Sequence, residues 1–394
     1  MLASCGARAT FVGFNPPFYD SVIKRAGIEC CVPEIYSDAY PHSDGLRMLA
    51  VAEELYRRAL EAIGRDRRVV FLASFLFPFH QAAAIAAERL RGSGFVCHII
   101  AIPAGSDIWQ IGYQVPGAVR WLLSPTKTDI AVVYSRRFAS EVRELTGSGA
   151  CLRVIPPPVD TRIFCPASTA IKNDLRDAMR IPRGSVVLLH CSNLRPVKRL
   201  DSILELAMAA AKISRRRLLL LIVGPWTTTA DELFSKLGLR ERQGVFARTK
   251  VGRLEIAAVG LQSDTVPFHQ VSDMVLNASV HDSFNTSLAE SMACGLPVIT
   301  SDIVGVAGLV RRYRCGYLYS YPSNALNHLR QGIQAKLSRE SVRGAAEYIC
   351  ELAERSDIRE EVGRRSTYAV SRHCDMNRVT ERWIGLLDRL TSAC

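Results

Sequence analysis

His281-Asp282-Ser283-Phe284-Asn285-Thr286-Ser287-Leu288-Ala289-Glu290-Ser291-Met292-Ala293-Cys294-Gly295-Leu296-Pro297-Val298-Ile299-Thr300-Ser301-Asp302 reads as one repeat of an α/β chain. A strand ends before Asp282, a short turn follows, and a helix begins near Thr286. Gly295-Leu296-Pro297 closes that helix sharply and a new strand starts. The first-turn amides of such a helix have no intrahelical partner and point above the sheet. They form a natural site for an anion. Glu290 lies one turn in, where a carboxylate can accept hydrogen bonds from a diol.

The same alternation runs outward in both directions. In the first half, Ala9–Phe14, Val69–Ser74, Val96–Ile102, Ile130–Tyr134 and Leu152–Ile155 read as strands. Helical patterns at Gly45–Ile63, Gln81–Arg91 and Arg136–Leu145 separate them. Pro156-Pro157-Pro158 can continue neither a helix nor a central strand, so the chain changes domain there. The second half restarts with strands at Val186–Cys191, Leu218–Val223, Met274–Asn277 and Pro297–Thr300, and helices at Asp201–Ile213 and Thr286–Cys294. The tail from Ala335 to Leu390 reads as mainly helical. The expected fold class is α/β, with two Rossmann-like domains facing across a cleft. Residues 1–165 form the first domain, 166–355 the second, and 356–394 are helices packing back toward the first. Open α/β sheets bind ligands at the carboxyl ends of their strands.

Composition narrows the function. The 394 residues are 48% hydrophobic and 22% charged, which excludes a disordered or low-complexity chain. No apolar run reaches the roughly 20 residues that span a bilayer. No secretory signal is legible, and the reading is a cytoplasmic protein, open to peripheral contact with an anionic membrane at its inner face. The net charge of +12 is scattered in short clusters, Arg65–Arg68, Arg215–Arg217 and Arg311–Arg314. With no basic tail, zinc-finger spacing or RNA-binding aromatic signature, nucleic acid is not the expected partner. The 12 cysteines include no Cys-x-x-Cys pair and the 8 histidines are dispersed, so reduced thiols and no metal are expected.

Cys191-Ser192-Asn193-Leu194-Arg195-Pro196-Val197-Lys198-Arg199 also lies between a strand and a helix and carries three cations. It reads either as a diphosphate-neutralising loop or as a solvated basic turn. Together with the first stretch it resembles glycosyltransferase family 4, the retaining nucleotide-sugar transferases of GT-B fold, over most of the chain. Asp282 and Glu290 match that family's paired acids, with Asp in place of the usual first Glu. Met292-Ala293-Cys294-Gly295-Leu296-Pro297-Val298 looks like the segment after the second acid. Pro157-Pro158-Val159-Asp160-Thr161 resembles its interdomain turn, Gly105-Ser106-Asp107 its cleft loop, and Cys315-Gly316-Tyr317-Leu318 a later glycine turn. The resemblance implies a hexosyltransferase acting with retention on an unidentified acceptor, whether saccharide, lipid-linked or small molecule. A nucleotide-diphosphate sugar would be the donor, and neither cofactor nor metal is needed. It assigns Arg195 and Lys198 to the diphosphate, Asp282 to a donor-sugar hydroxyl and Glu290 to the ribose. Asn285, Thr286, Ser287 and Leu288 would offer backbone amides, and Gly305 a close backbone approach. Around Ser192–Arg199 the wording is slightly similar to the branch that joins N-acetylglucosamine to malate, but the acceptor stays open.

On the acceptor side the candidates are Gly105, Asp107 and His80. Asp107 either orients an acceptor or caps the next segment, and His80 either touches an acceptor or is a half-buried histidine at a helix start. Three departures leave a rival reading, a catalytically inactive homologue serving as a binding or scaffold protein. The histidine usual before Gly-Ser-Asp is Ala104. Asn285 and Val304 replace glycines, and their side chains are expected to narrow the site. Leu2-Ala3-Ser4-Cys5-Gly6-Ala7-Arg8-Ala9 resembles the end of the family's first helix, so the first domain is expected to lack one strand–helix unit.

Overall fold

The computed structural model describes residues 10–12, 29–31, 45–62, 68–239, 247–333 and 335–392. Two compact units emerge, one holding the chain up to Ile155 together with the part from Val379 onward, the other Pro156–Arg378.

In the first unit, β1 (Thr10–Val12) pairs in parallel with β2 (Glu29–Cys31). A four-stranded parallel sheet follows, in the order β3 (Arg68–Ser74), β4 (Val96–Ile102), β5 (Ile130–Val133), β6 (Leu152–Val154). Neighbouring residues of these strands serve opposite cores, as parallel sheets require. Ala101, Ala131 and Val133 pack with Leu122, Phe138 and Val142 of the helices on one face. Ile100 and Val132 pack on Val379, Trp383 and Leu386 of the last helix. Of the segment expected as a strand at Ala9–Phe14, Thr10–Val12 form β1; its other residues, and Leu2–Ala9, lie outside the described residues.

The second unit is built on a seven-stranded sheet in the order β13-β12-β11-β7-β8-β10-β9. Its strands are β7 (Val186–Cys191), β8 (Leu218–Val223), β9 (Ala247–Val251), β10 (Leu254–Ala258), β11 (Met274–Leu276), β12 (Val298–Ser301) and β13 (Gly316–Tyr319). All pairs are parallel except β9 with β10. Every residue of β8 is buried, which is why that strand is a continuous aliphatic run. The hairpin β9–β10 was not legible, because Ala-Arg-Thr-Lys-Val is a half-exposed edge strand with too few apolar residues to show a period. From β7 the chain crosses to β8, whereas from β11 it moves outward to β12 and β13. The β7–β11 pair is therefore the topological switch point, where ligands of open α/β sheets bind.

The domain limits differ from the expected 165/166 and 355/356. Val159 bridges Asp375, and the Thr161 hydroxyl donates to the Asp375 carboxylate at 2.7 Å, so 156–165 belongs to the second unit. Helix Ser356–His373 also stays there. Its Gly363 lies so close to Gly295 that an added Cβ would sit 2.2 Å from the Gly295 carbonyl oxygen. Only from Val379 does the tail join the first unit. Among the described residues no helix is long and apolar enough to cross a membrane.

Candidate active site

Two loops leave the carboxyl ends of β7 and β11 and meet at the switch point. The first runs from Ser192 to Arg199 and is fixed at several places. Buried His190 donates from Nδ1 to the Leu276 carbonyl at 3.1 Å, leaving Nε2 to accept the Ser192 hydroxyl at 2.9 Å. Burial holds this imidazole's pKa down at about 4, so it is a neutral strut. The Thr227 hydroxyl donates to the Leu194 carbonyl at 2.5 Å. Gly224 stands at φ +151, and a Cβ there would lie 1.9 Å from the Ser192 carbonyl oxygen. Only glycine lets β8 end this close to the loop.

Of the loop's three cations, one is withdrawn. Arg199, almost fully buried, is clamped on Asp201 at 2.6 and 2.9 Å. Lys198 reaches across to Asp282, with Nζ to Oδ2 at 2.5 Å. Arg195 is exposed, and its side chain makes no ion pair among the described residues.

The second loop rests on a buried polar network that the sequence did not announce. Asn277 donates to the Ser279 hydroxyl at 3.0 Å and accepts from the Thr300 hydroxyl at 3.1 Å. The Tyr319 hydroxyl donates to the Asn277 carbonyl and that of Tyr321 to the Ala278 carbonyl. Satisfied networks of this kind rigidify their surroundings. The loop then carries Asp282 alongside Val304, and the Gly305 amide donates to the Asp282 carbonyl at 2.9 Å.

The two side chains that replace glycines are both buried. Val304 is fully buried. Asn285 adopts φ 80 and ψ 83, and its side-chain oxygen accepts the Leu288 amide at 3.1 Å. Asparagine tolerates the left-handed region better than other non-glycine residues, and here it also caps the helix Thr286–Ala293. The Leu288 amide, expected to face a ligand, is therefore taken. Those of Thr286 and Ser287 donate to nothing among the described residues. Asn285→Gly should keep the backbone and cost a few tenths of a kcal/mol, whereas Asn285→Ala should cost about 1–2 kcal/mol more. Urea unfolding of the two variants checks the order.

Glu290 makes no ion pair or hydrogen bond through its carboxyl among the described residues. Burial pushes its pKa up to about 7. The Cys191 thiol at the end of β7 is pushed up to about 11 by burial, and the Ser287 hydroxyl and the Glu290 charge both act on it. Glu290, Ser287 and the end of β7 therefore share one neighbourhood.

On the first unit the candidates resolve into struts. Asp107 is almost wholly buried, and its carboxylate accepts the amides of Leu76 at 2.9 Å, Gly105 at 2.8 Å and Ala104 at 3.1 Å. It ties the ends of β3 and β4 together, and Gly105 turns that loop at φ +123. His80 is fully buried rather than half-buried. Thr128 donates to the Leu122 carbonyl at 2.6 Å, so His80 donates from Nε2 to Thr128 at 2.6 Å. Neither side chain is presented to a ligand. Phe75, just after β3, is exposed and held at φ 69, a strained position for an aromatic residue.

Residues 171–343 match the family described as glycosyl transferases group 1. Over that stretch, less than half of the chain, the sequence is similar to the group 1 glycosyl transferases. Its relatives include N-acetyl-alpha-D-glucosaminyl L-malate synthase of Bacillus anthracis, 23% identical over 307 residues, 74% of each chain. Another is D-inositol 3-phosphate glycosyltransferase of Acidothermus cellulolyticus, 27% identical over 49% of this chain and 43% of that one. Among solved structures, HepE of Anabaena in complex with UDP and glucose is 17% identical with a TM-score of 0.71, over 98% of this chain and 94% of that one. Sucrose-phosphate synthase of Thermosynechococcus elongatus is 16% identical with a TM-score of 0.68, over 100% of this chain and 91% of that one. The group 1 match lies within the second unit, and the fold of the whole chain is GT-B.

Proposed function

We propose that this chain is a group 1 glycosyl transferase that moves a sugar from a nucleotide-diphosphate sugar to an acceptor with retention of configuration. One observation carries the reading: the Lys198–Asp282 ion pair joins the loops at the carboxyl ends of β7 and β11, and the Glu290 carboxyl, whose charge acts on Cys191 at the end of β7, has no ion pair or hydrogen bond among the described residues. Breaking a sugar–diphosphate bond builds negative charge on the leaving group, and fixed cations and amides aimed at it lower the barrier. Lys198 and the amides of Thr286 and Ser287 are suited to that task. Asp282, released by Lys198 as the diphosphate enters, accepts a sugar hydroxyl, and Glu290 accepts the ribose hydroxyls. HepE was solved with UDP and with UDP-glucose, which favours uridine as the base. GDP and ADP sugars serve as the comparison in the test.

Thermal-shift titration with UDP, GDP and ADP sugars tests this, because a ligand that binds only the native state raises its melting point. One nucleotide should stabilise the protein, and Lys198→Ala should weaken that effect. Charge neutralisation by Lys198 and backbone amides also makes turnover independent of a divalent metal, so EDTA should leave the rate unchanged. A rate that falls with EDTA and returns with magnesium or manganese rejects that assignment.

A further inference from the structure

Most of the charge carried by Arg215-Arg216-Arg217 has no place in the site above. These residues precede β8, at the amino end of the sheet, whereas Lys198 and Glu290 serve its carboxyl end. Six residues of β8, about 20 Å, separate the two. Arg215, Arg216 and Arg217 join Arg248, Lys250 and Arg253 of the β9–β10 hairpin around one concave groove of about 640 Å³. Leu254 pairs with Leu218, so the residues just before them, Arg253 and Arg217, are neighbours on adjoining strands. Like charges in that relation repel.

The groove's one carboxylate does not relieve the repulsion. Glu255 lies opposite Lys250 in the hairpin register but is held by Arg248 at 2.8 Å. Arg216 reaches only the Gly184 carbonyl, at 3.4 Å. The side chains of Arg215, Arg217, Lys250 and Arg253 have no ion-pair or hydrogen-bond partner among the described residues. A concentration of cations from two separate elements, left unneutralised in a concavity, is a field that attracts anions. Guanidinium forks match phosphate oxygens two at a time. The lining offers no aliphatic or aromatic side chain to enter a bilayer and no aromatic platform for nucleobases.

We propose that this groove is a second anion site, binding a soluble ligand that carries two or more phosphate groups. The test is calorimetric titration of the full chain with tripolyphosphate and with orthophosphate near physiological salt. Tripolyphosphate should bind at least about tenfold more tightly, since several phosphates engage several cations. Arg217→Ser/Arg253→Ser should weaken it by about tenfold while leaving UDP titration and the melting point unchanged, whereas Lys198→Ala should retain it. If the double variant melts early, Lys250→Ser at the exposed edge takes its place. Equal affinity for the two phosphates, or loss of binding in Lys198→Ala alone, overturns the proposal. Preferential capture by phosphatidylglycerol vesicles or by a short single-stranded RNA also overturns it. UDP binding together with an inert groove would reject this site and leave the proposed function standing.

Discussion

Replacing Glu290 by alanine should weaken nucleotide-sugar binding by about 100-fold or more, because hydrogen bonds to a charged acceptor are worth about 1.5–3 kcal/mol each. The carboxyl has no cation to compensate it among the described residues, so its ionisation costs the ligand-free protein stability. Its folded pKa, raised by burial to about 7, exceeds the unfolded value near 4.3. The favourable contribution is complete below the unfolded value and is lost as pH rises through 7. The full difference is about 4 kcal/mol at most. Glu290→Gln should accordingly stabilise the ligand-free protein at pH 8.5 and change little at pH 4.5. Nucleotide affinity of the unaltered protein should rise as pH passes 7, when the carboxylate becomes available to ribose hydroxyls. Urea unfolding at the two pH values and calorimetric nucleotide titrations across pH 6–8 measure both effects. Affinity that is flat in pH and unchanged in Glu290→Ala would remove Glu290 from the site.

Asp273→Ala should be the most destabilising single change in the second unit, by about 3–5 kcal/mol. Asp273 is buried at the start of β11, where Lys172 and Arg176 reach it at 2.9 and 2.6 Å. Its Oδ2 accepts the Val187 amide at 2.8 Å. Burial alone would raise its pKa, but Lys172, Arg176 and that amide hold it below the ordinary carboxylate range. Its contribution is therefore present above the unfolded pKa and lost as pH falls through the folded one. Removing the carboxylate strands Lys172, Arg176 and the more distant Arg359 and unties β11 from β7, the pair that frames the switch point. A melting-point fall on the order of 10 °C is expected, at roughly 2–4 °C per kcal/mol for a unit of this size. A fall under about 2 °C would show that the cluster is peripheral to the unit's stability.

Much of the architecture was legible because local physics determines it. Leu218–Val223 is aliphatic because both of its faces are covered, and Gly295-Leu296-Pro297 stops a helix wherever it occurs. The helix start at Thr286 and the order of the motifs likewise needed only neighbouring residues. Sheet order did not, since a strand's apolar run says that it is buried and not which strand lies beside it. Tertiary structure alone set β7 against β11 and so joined Lys198 to Asp282, while an adjacent cation, Arg199, was spent on Asp201. It alone buried Asp107 and His80, whose residue types suit a ligand contact and a strut equally well. Asn285 shows the boundary most clearly. Its sequence reads as a lost glycine, yet only its φ of 80 and its hold on the Leu288 amide reveal that the backbone demand was kept and met by a different side chain.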